Sequence, residues 1–204
     1  MFFFKPCSGG LWRALSRSDS TASSISPLRQ SSTISPDPSA QAKAQQLIQE
    51  GTELLQRGQV TEASHLFRQS TEFHATATAY FNLGVCHYQS QHITEAVVAW
   101  QQSLDLAPDH ADAHVNLASA HFLHLKDAPK ALAHLETAVT LAPEDGQVYY
   151  NYGCILEASG QLEQAIEKYR RALDLGVKRA DINLRNAMAR FLKAQTTKPP
   201  SSSS

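Results

Sequence analysis

The chain has 204 residues, 42% hydrophobic and 18% charged, enough apolar side chain to bury a sizeable core without disulfide or metal staples. Its formal net charge of -1 gives no global attraction to nucleic acid or anionic membrane, so any electrostatic function has to be local. Cys7, Cys86 and Cys154 form neither a close pair nor a metal-type spacing, which fits a reducing compartment, and no apolar run reaches the roughly 20 residues needed to span a bilayer.

Residues 1–39 are serine-rich, broken by Pro27, Pro36 and Pro38, and lack sustained apolar periodicity; the composition predicts disorder. Up to Pro36 this segment carries Lys5, Arg13, Arg17 and Arg29 against the single acid Asp19, the balance of a mitochondrial transit peptide. Wound as a helix, "LWRALSR" puts Leu11, Trp12, Ala14 and Leu15 on one side and Arg13 with Arg17 on the other. A secretory signal is disfavoured because Lys5 and Pro6 interrupt the apolar start at once. The expected location is therefore mitochondrial, in the matrix or associated with the inner membrane; the alternative is cytoplasmic.

From residue 40 to 195 the pattern is helical, rich in Ala, Leu, Gln and Glu, with Pro108, Pro129 and Pro143 at helix boundaries. One phrase recurs every 33 to 35 residues: "EASHLFRQSTEFHA", "EAVVAWQQSLDLAP", "KALAHLETAVTLAP" and "QAIEKYRRALDLGV". Fixed spacing in that range marks a repeat architecture. Aligning the copies superposes Gly51, Gly84, Ala118 and Gly153, each flanked on the same helix face by Leu47 and Leu54, Tyr80 and His87, His114 and His121, or Tyr149 and Leu156. In the second helix of each copy the matched pairs are Ala63 with Phe67, Ala96 with Trp100, Ala131 with Leu135, and Ala165 with Tyr169. A small residue lets the neighbouring helix approach and the larger one fills the remaining space. Gly58 and Gly160 fall in the turn between the two helices, where positive φ is needed.

These small, aromatic, alanine and proline positions resemble the tetratricopeptide repeat. The resemblance covers roughly two thirds of the chain and implies an all-α fold: a right-handed α-α superhelix, or solenoid, of four helix pairs at about 44–77, 77–110, 111–145 and 146–179. Two departures are visible. The third copy carries an extra residue in "HLKDAP", expected to lengthen the inter-helix turn, and the fourth has Val177 where proline would stand, expected to let the last helix run on. A stack of repeats ends in a naked apolar face unless something covers it; residues 180–194, with Ile182, Leu184, Met188, Phe191 and Leu192 among Arg185, Arg190 and Lys193, read as the capping helix. Residues 196–204 read as a loose tail.

In this family the first helices line a concave groove where ligands lie. Asn82, Asn116 and Asn151 share one position there, and an amide ladder can hydrogen-bond an extended peptide backbone without reading its side chains. Phe81 and Tyr150, with Val115, stand one residue earlier as candidate apolar pockets. The family's clamp for chaperone tails is not reproduced. Over the first three copies Ile48, Thr52, Asp112 and Asn116 stand at clamp positions and only Asn82 matches; in the next frame Asn151 and Arg185 match while Val115, Ser119 and Asp181 do not. The expected partner is a protein, as an extended peptide or helix held by Asn82, Asn116, Asn151, Arg185, Phe81 and Tyr150. The expected function is a non-catalytic scaffold or adaptor; the alternative is a cytosolic co-chaperone or regulatory subunit of a larger enzyme complex.

Other chemistry has weaker signals. Residues 69–125 sum to -5 with no lysine or arginine, whereas residues 168–204 sum to +7; without interleaved aromatics the basic end does not predict nucleic-acid binding. His110, His114, His121 and His124 have helical spacing that can present two imidazoles to a metal, yet His87 and His121 occupy aromatic packing positions, so no metal or other cofactor is expected. No phosphate-cradling glycine loop, nucleophile elbow or paired-carboxylate motif is present, and no enzymatic activity is expected.

Overall fold

The structure, a computed structural model, describes residues 37–196; the expected transit segment up to residue 36 and the tail from residue 197 lie outside the described residues. Among the described residues all regular structure is helical: α1 Pro38–Gln56, α2 Val60–Phe73, α3 Ala77–Gln89, α4 Ile93–Leu106, α5 Ala111–Leu123, α6 Ala128–Leu141, α7 Gly146–Ala158, α8 Leu162–Asp174 and α9 Ala180–Thr196. Within each of the four pairs the second helix folds back on the first, and α9 packs on α8. The chain divides into two compact units, residues 37–109 with α1–α4 and residues 110–196 with α5–α9. No described helix is long and apolar enough to cross a membrane.

The small residues sit where the repeat alignment puts them, against the large partners it names. A Cβ added to Gly51 would stand 2.9 Å from the Phe67 ring, one at Gly84 2.5 Å from Trp100, and one at Gly153 2.6 Å from Tyr169. In the third pair Ala118 shares a core with Leu135. Where the first helix keeps one more carbon, the second gives up a ring, so summed volume is held nearly constant, as close packing requires. Trp100 is also fixed by its indole N–H, which donates to the carbonyl of Phe81 at 3.1 Å.

The turns inside the pairs share one device. Gly58, Gln91, Lys126 and Gly160 all take positive φ, at 77°, 65°, 56° and 80°, the left-handed residue that ends an α-helix. The extra residue of the third copy lies in this turn, where residues 124–127 separate α5 from α6, as expected.

Two boundaries differ from the sequence expectation. α1 begins at Pro38 rather than near residue 40, because Asp37 caps it by accepting from the Ser39 N–H at 3.0 Å and proline is well suited to the first helical position. The loss of proline at Val177 does not prolong α8. Gly176 takes φ 89°, with Val177 N–H donating to Ala172 O and Gly176 N–H to Leu173 O, both at 2.9 Å: the Schellman pattern closes the helix without proline.

Candidate functional site

Asn82, Asn116 and Asn151 occupy one register position on α3, α5 and α7, and each is only 3% exposed. Asn116, Asn151, Tyr150 and Arg185 belong to the unit of residues 110–196; Asn82 and Phe81 belong to the unit of residues 37–109. Within the former, α5 packs against α7. The Asn116 Nδ2 is buried with no hydrogen-bond partner from the protein, which leaves a donor whose desolvation, about 1–3 kcal/mol, nothing in the fold offsets.

Asn151 is oriented by a chain of contacts that includes two residues absent from the sequence expectation. Its Oδ1 accepts from Gln147 Nε2 at 2.9 Å; Gln147 Oε1 in turn accepts from an Arg179 guanidinium N–H; and Arg179 lies over the Tyr150 ring, 4.3 Å from its centroid. Tyr150 is buried, and Asn183 Nδ2 donates to its hydroxyl at 3.3 Å. Gln147 stands one helical turn before Asn151, a spacing from which it was recoverable. Arg179 lies in the α8–α9 turn, where no periodicity flags it. Arg185, the expected arginine, is 76% exposed at its side chain and pairs with Asp181 of its own helix at 2.6 Å. Phe81 is buried, as is Val115; their rings and methyls contribute to packing.

A second network ties α9 to α7 and α8. The Tyr169 hydroxyl donates to Glu157 Oε2 at 2.8 Å, Arg190 Nη1 donates to Glu157 Oε1 at 2.6 Å, and Asn183 Nδ2 reaches the Tyr169 hydroxyl at 3.4 Å. Burial, reinforced by Cys154 and Glu157, pushes the Tyr169 phenol well above its ordinary range, so it acts as a neutral hydrogen-bonding group.

Of the helically spaced His110, His114, His121 and His124, two meet a histidine of the next helix. His114 Nδ1 lies 3.0 Å from His134 Nδ1, and His121 stacks on His134 with centroids 5.7 Å apart. Burial, then repulsion from His114 and His121, lowers the His134 pKa to about 4; burial likewise lowers His121, with Asp127 opposing and Lys130 adding to the shift. Burial thus favours the neutral form of His121 and His134, whose rings stack between α5 and α6. Among the described residues no group of three or more His, Cys, Asp or Glu side chains is arranged to hold a metal ion. Burial pushes the Cys86 thiol up to about 12, which leaves it a small hydrophobe rather than a nucleophile.

The chain matches the tetratricopeptide repeat family over residues 109–176 and 77–110. It is 30% identical over 140 residues to the tetratricopeptide repeat-containing protein trd-1 of Caenorhabditis elegans, an alignment covering 68% of this chain and 18% of the relative; the chain thus spans less than a fifth of that protein. Among solved structures it is similar to pilF of Pseudomonas aeruginosa, with TM-score 0.68, 21% identity and coverage of 76% of this chain and 72% of that one. It is also similar to the first tetratricopeptide domain of Spaghetti (RPAP3), solved bound to the HSP90 peptide SRMEEVD, with TM-score 0.54, 25% identity and coverage of 57% and 94%. The packed small and aromatic positions, the family matches and the shared fold lead to one conclusion: the chain belongs to the tetratricopeptide repeat family.

Proposed function

We propose that the chain is a non-catalytic protein-interaction scaffold that holds an extended peptide or helix of a partner against its first helices, with Asn116, Asn151, Tyr150 and Arg179 carrying most of the grip. The observation that carries this reading is the buried Asn116 Nδ2 with no acceptor in the fold. An outward rotation of the side chain would bring it within reach of a partner's backbone carbonyl. Asn151, held by Gln147, and Arg179, held over Tyr150, form a preorganised polar neighbour, so little side-chain entropy is lost on binding. Asn82, Phe81 and Arg185 are assigned a smaller share. The similar domain of Spaghetti (RPAP3), bound to an HSP90 peptide, supports peptide capture as a use of this fold; the mismatches at Ile48, Thr52 and Asp112 favour a ligand other than a chaperone tail. The working location is the mitochondrion, on the composition of residues 1–39.

Two experiments test this. Affinity purification of wild type beside the Asn82→Ala, Asn116→Ala, Asn151→Ala triple variant, matched for helicity, is expected to recover partners lost only from the variant; equal recovery would remove the amide ladder from the mechanism. A reporter fused to residues 1–40 is expected in mitochondria, and a diffuse cytosolic signal would favour the cytosolic regulatory-subunit alternative.

A further inference from the structure

Helix α9 buries Ala180 and Ala187, with Leu184 packed beside them, against the core that α7 and α8 supply. Among the described residues its other side is exposed: Ile182 is 65% exposed, Leu192 58% and Met188 40%. Leu192 follows Met188 by one turn, and Arg185 separates them from Ile182. After Asp181 every charged residue of the helix, Arg185, Arg190 and Lys193, is basic. With Arg185 paired to Asp181 and Arg190 to Glu157, the helix keeps a modest net positive charge beside three large apolar side chains, which suits an apolar partner with a negative rim.

The same chain carries two exposed apolar sites with acidic neighbours. α2 ends in Glu72–Phe73 and α4 in Asp105–Leu106, equivalent positions 33 residues apart. Phe73 and Leu106 are 50% and 51% exposed, and Glu72, Asp105 and Asp109 are exposed beside them. Neither helix has a basic residue in its last turn, so the partial negative charge of each C-terminus adds to the acids rather than being neutralised. Arg68 is the last cation before Lys126; nothing between them is basic except histidine.

We infer that the exposed face of α9 docks on the Phe73 and Leu106 ends of α2 and α4 of a second copy of this chain. The two surfaces differ, so the contact is heterologous: each copy has one of each, and association proceeds head to tail into rings or open chains. Its apolar centre supplies affinity. Its charged rim makes it salt-sensitive, because the screening length falls from about 14 Å at ~50 mM salt to about 4 Å at ~500 mM.

Sedimentation velocity on the full chain, from about 10 μM to about 1 mM, tests the proposal. Wild type is expected to gain mass with concentration at low salt and to lose most of that gain at high salt. The α9 variant Arg185→Glu with Lys193→Glu, and the acidic-face variant Glu72→Lys with Asp105→Lys, each matched to wild type in circular dichroism, are expected to remain monomeric alone and to associate when mixed. Ile182→Ser with Leu192→Ser, which leaves the charges in place, is expected to remain monomeric. A monomeric wild type across the range, association unchanged in the reversed variants, or failure of the mixture to associate would each overturn it. Loss of partner capture in the asparagine variants is a separate readout and leaves this result unaffected.

Discussion

The two units use the same steric code and different polar fastenings. In residues 37–109, Ser70 and Ser103 are buried near the end of the second helices and donate to the carbonyls of Ala44 and Ala77, at 3.0 and 2.9 Å. In residues 110–196 the equivalent residues are Ala138 and Ala172, both fully buried, and the polar contacts are made elsewhere, through His114–His134 and through Tyr169, Glu157, Asn183 and Arg190. The shared part is packing, which a repeat cannot vary without losing its neighbour. The divergent part is hydrogen bonding, which each unit solves locally; in the second unit the Asn183 bond to the Tyr150 hydroxyl couples that solution to the candidate partner-binding residues.

The largest effects should come from breaking the shared part. Gly84→Ala drives a carbon into the Trp100 ring, which its hydrogen bond to Phe81 holds in place; denaturant unfolding is expected to show a loss of about 2–3 kcal/mol. Gly51→Ala meets only the edge of Phe67 and should cost less, about 1 kcal/mol. Adding Phe67→Leu recreates the Ala118 and Leu135 combination of the third pair, so the double variant is expected to be more stable than the sum of its single changes predicts. Strict additivity would mean that volume exchange is not what links these positions.

An intermediate effect should separate the units by pH. The His134 pKa in the fold, about 4, lies below the value near 6.5 of an unfolded histidine. The unfolded chain therefore takes up the proton first, and stability is lost as pH falls from about 6.5 towards 4. Because His134 is partly exposed, screening should reduce the loss to about 1–2 kcal/mol. Thermal unfolding followed from neutral pH to mildly acidic pH should show this dependence in wild type and a flatter profile in His134→Leu. An unchanged profile would contradict the assignment.

Smaller effects belong to the serines and turns. Ser70→Ala and Ser103→Ala should each cost about 1 kcal/mol by leaving a buried carbonyl short of a donor, measurable by chemical denaturation. Gln91→Gly should stabilise by about 0.5 kcal/mol, because Gln91 holds a left-handed backbone that glycine adopts without the Cβ penalty.

Steric complementarity was the most legible feature of the sequence. Gly51, Gly84 and Gly153 recur at the repeat spacing with Phe67, Trp100 and Tyr169 because both partners are constrained by the same contact. Side chains outside the repeat were harder to read. A serine such as Ser70 looks like any polar surface residue until the carbonyl of Ala44 is placed beside it. His134 joins His114 and His121 only once α6 folds onto α5, so spacing along α5 alone does not show the contact. Arg179, in a turn, has no helical period from which its place beside Gln147 and Tyr150 can be read. Gly176 closes α8 by the same left-handed device as Gly58 and Gly160, one residue before the position where the repeat pattern has proline.

The most direct test compares partner capture by two variants of equal helicity: Asn116→Ala with Asn151→Ala in the unit of residues 110–196, and Asn82→Ala in the unit of residues 37–109. The first is expected to lose most of the partner recovered by wild type and the second to keep most of it. Retention by the first variant, or loss confined to the second, would contradict the assignment of the binding residues.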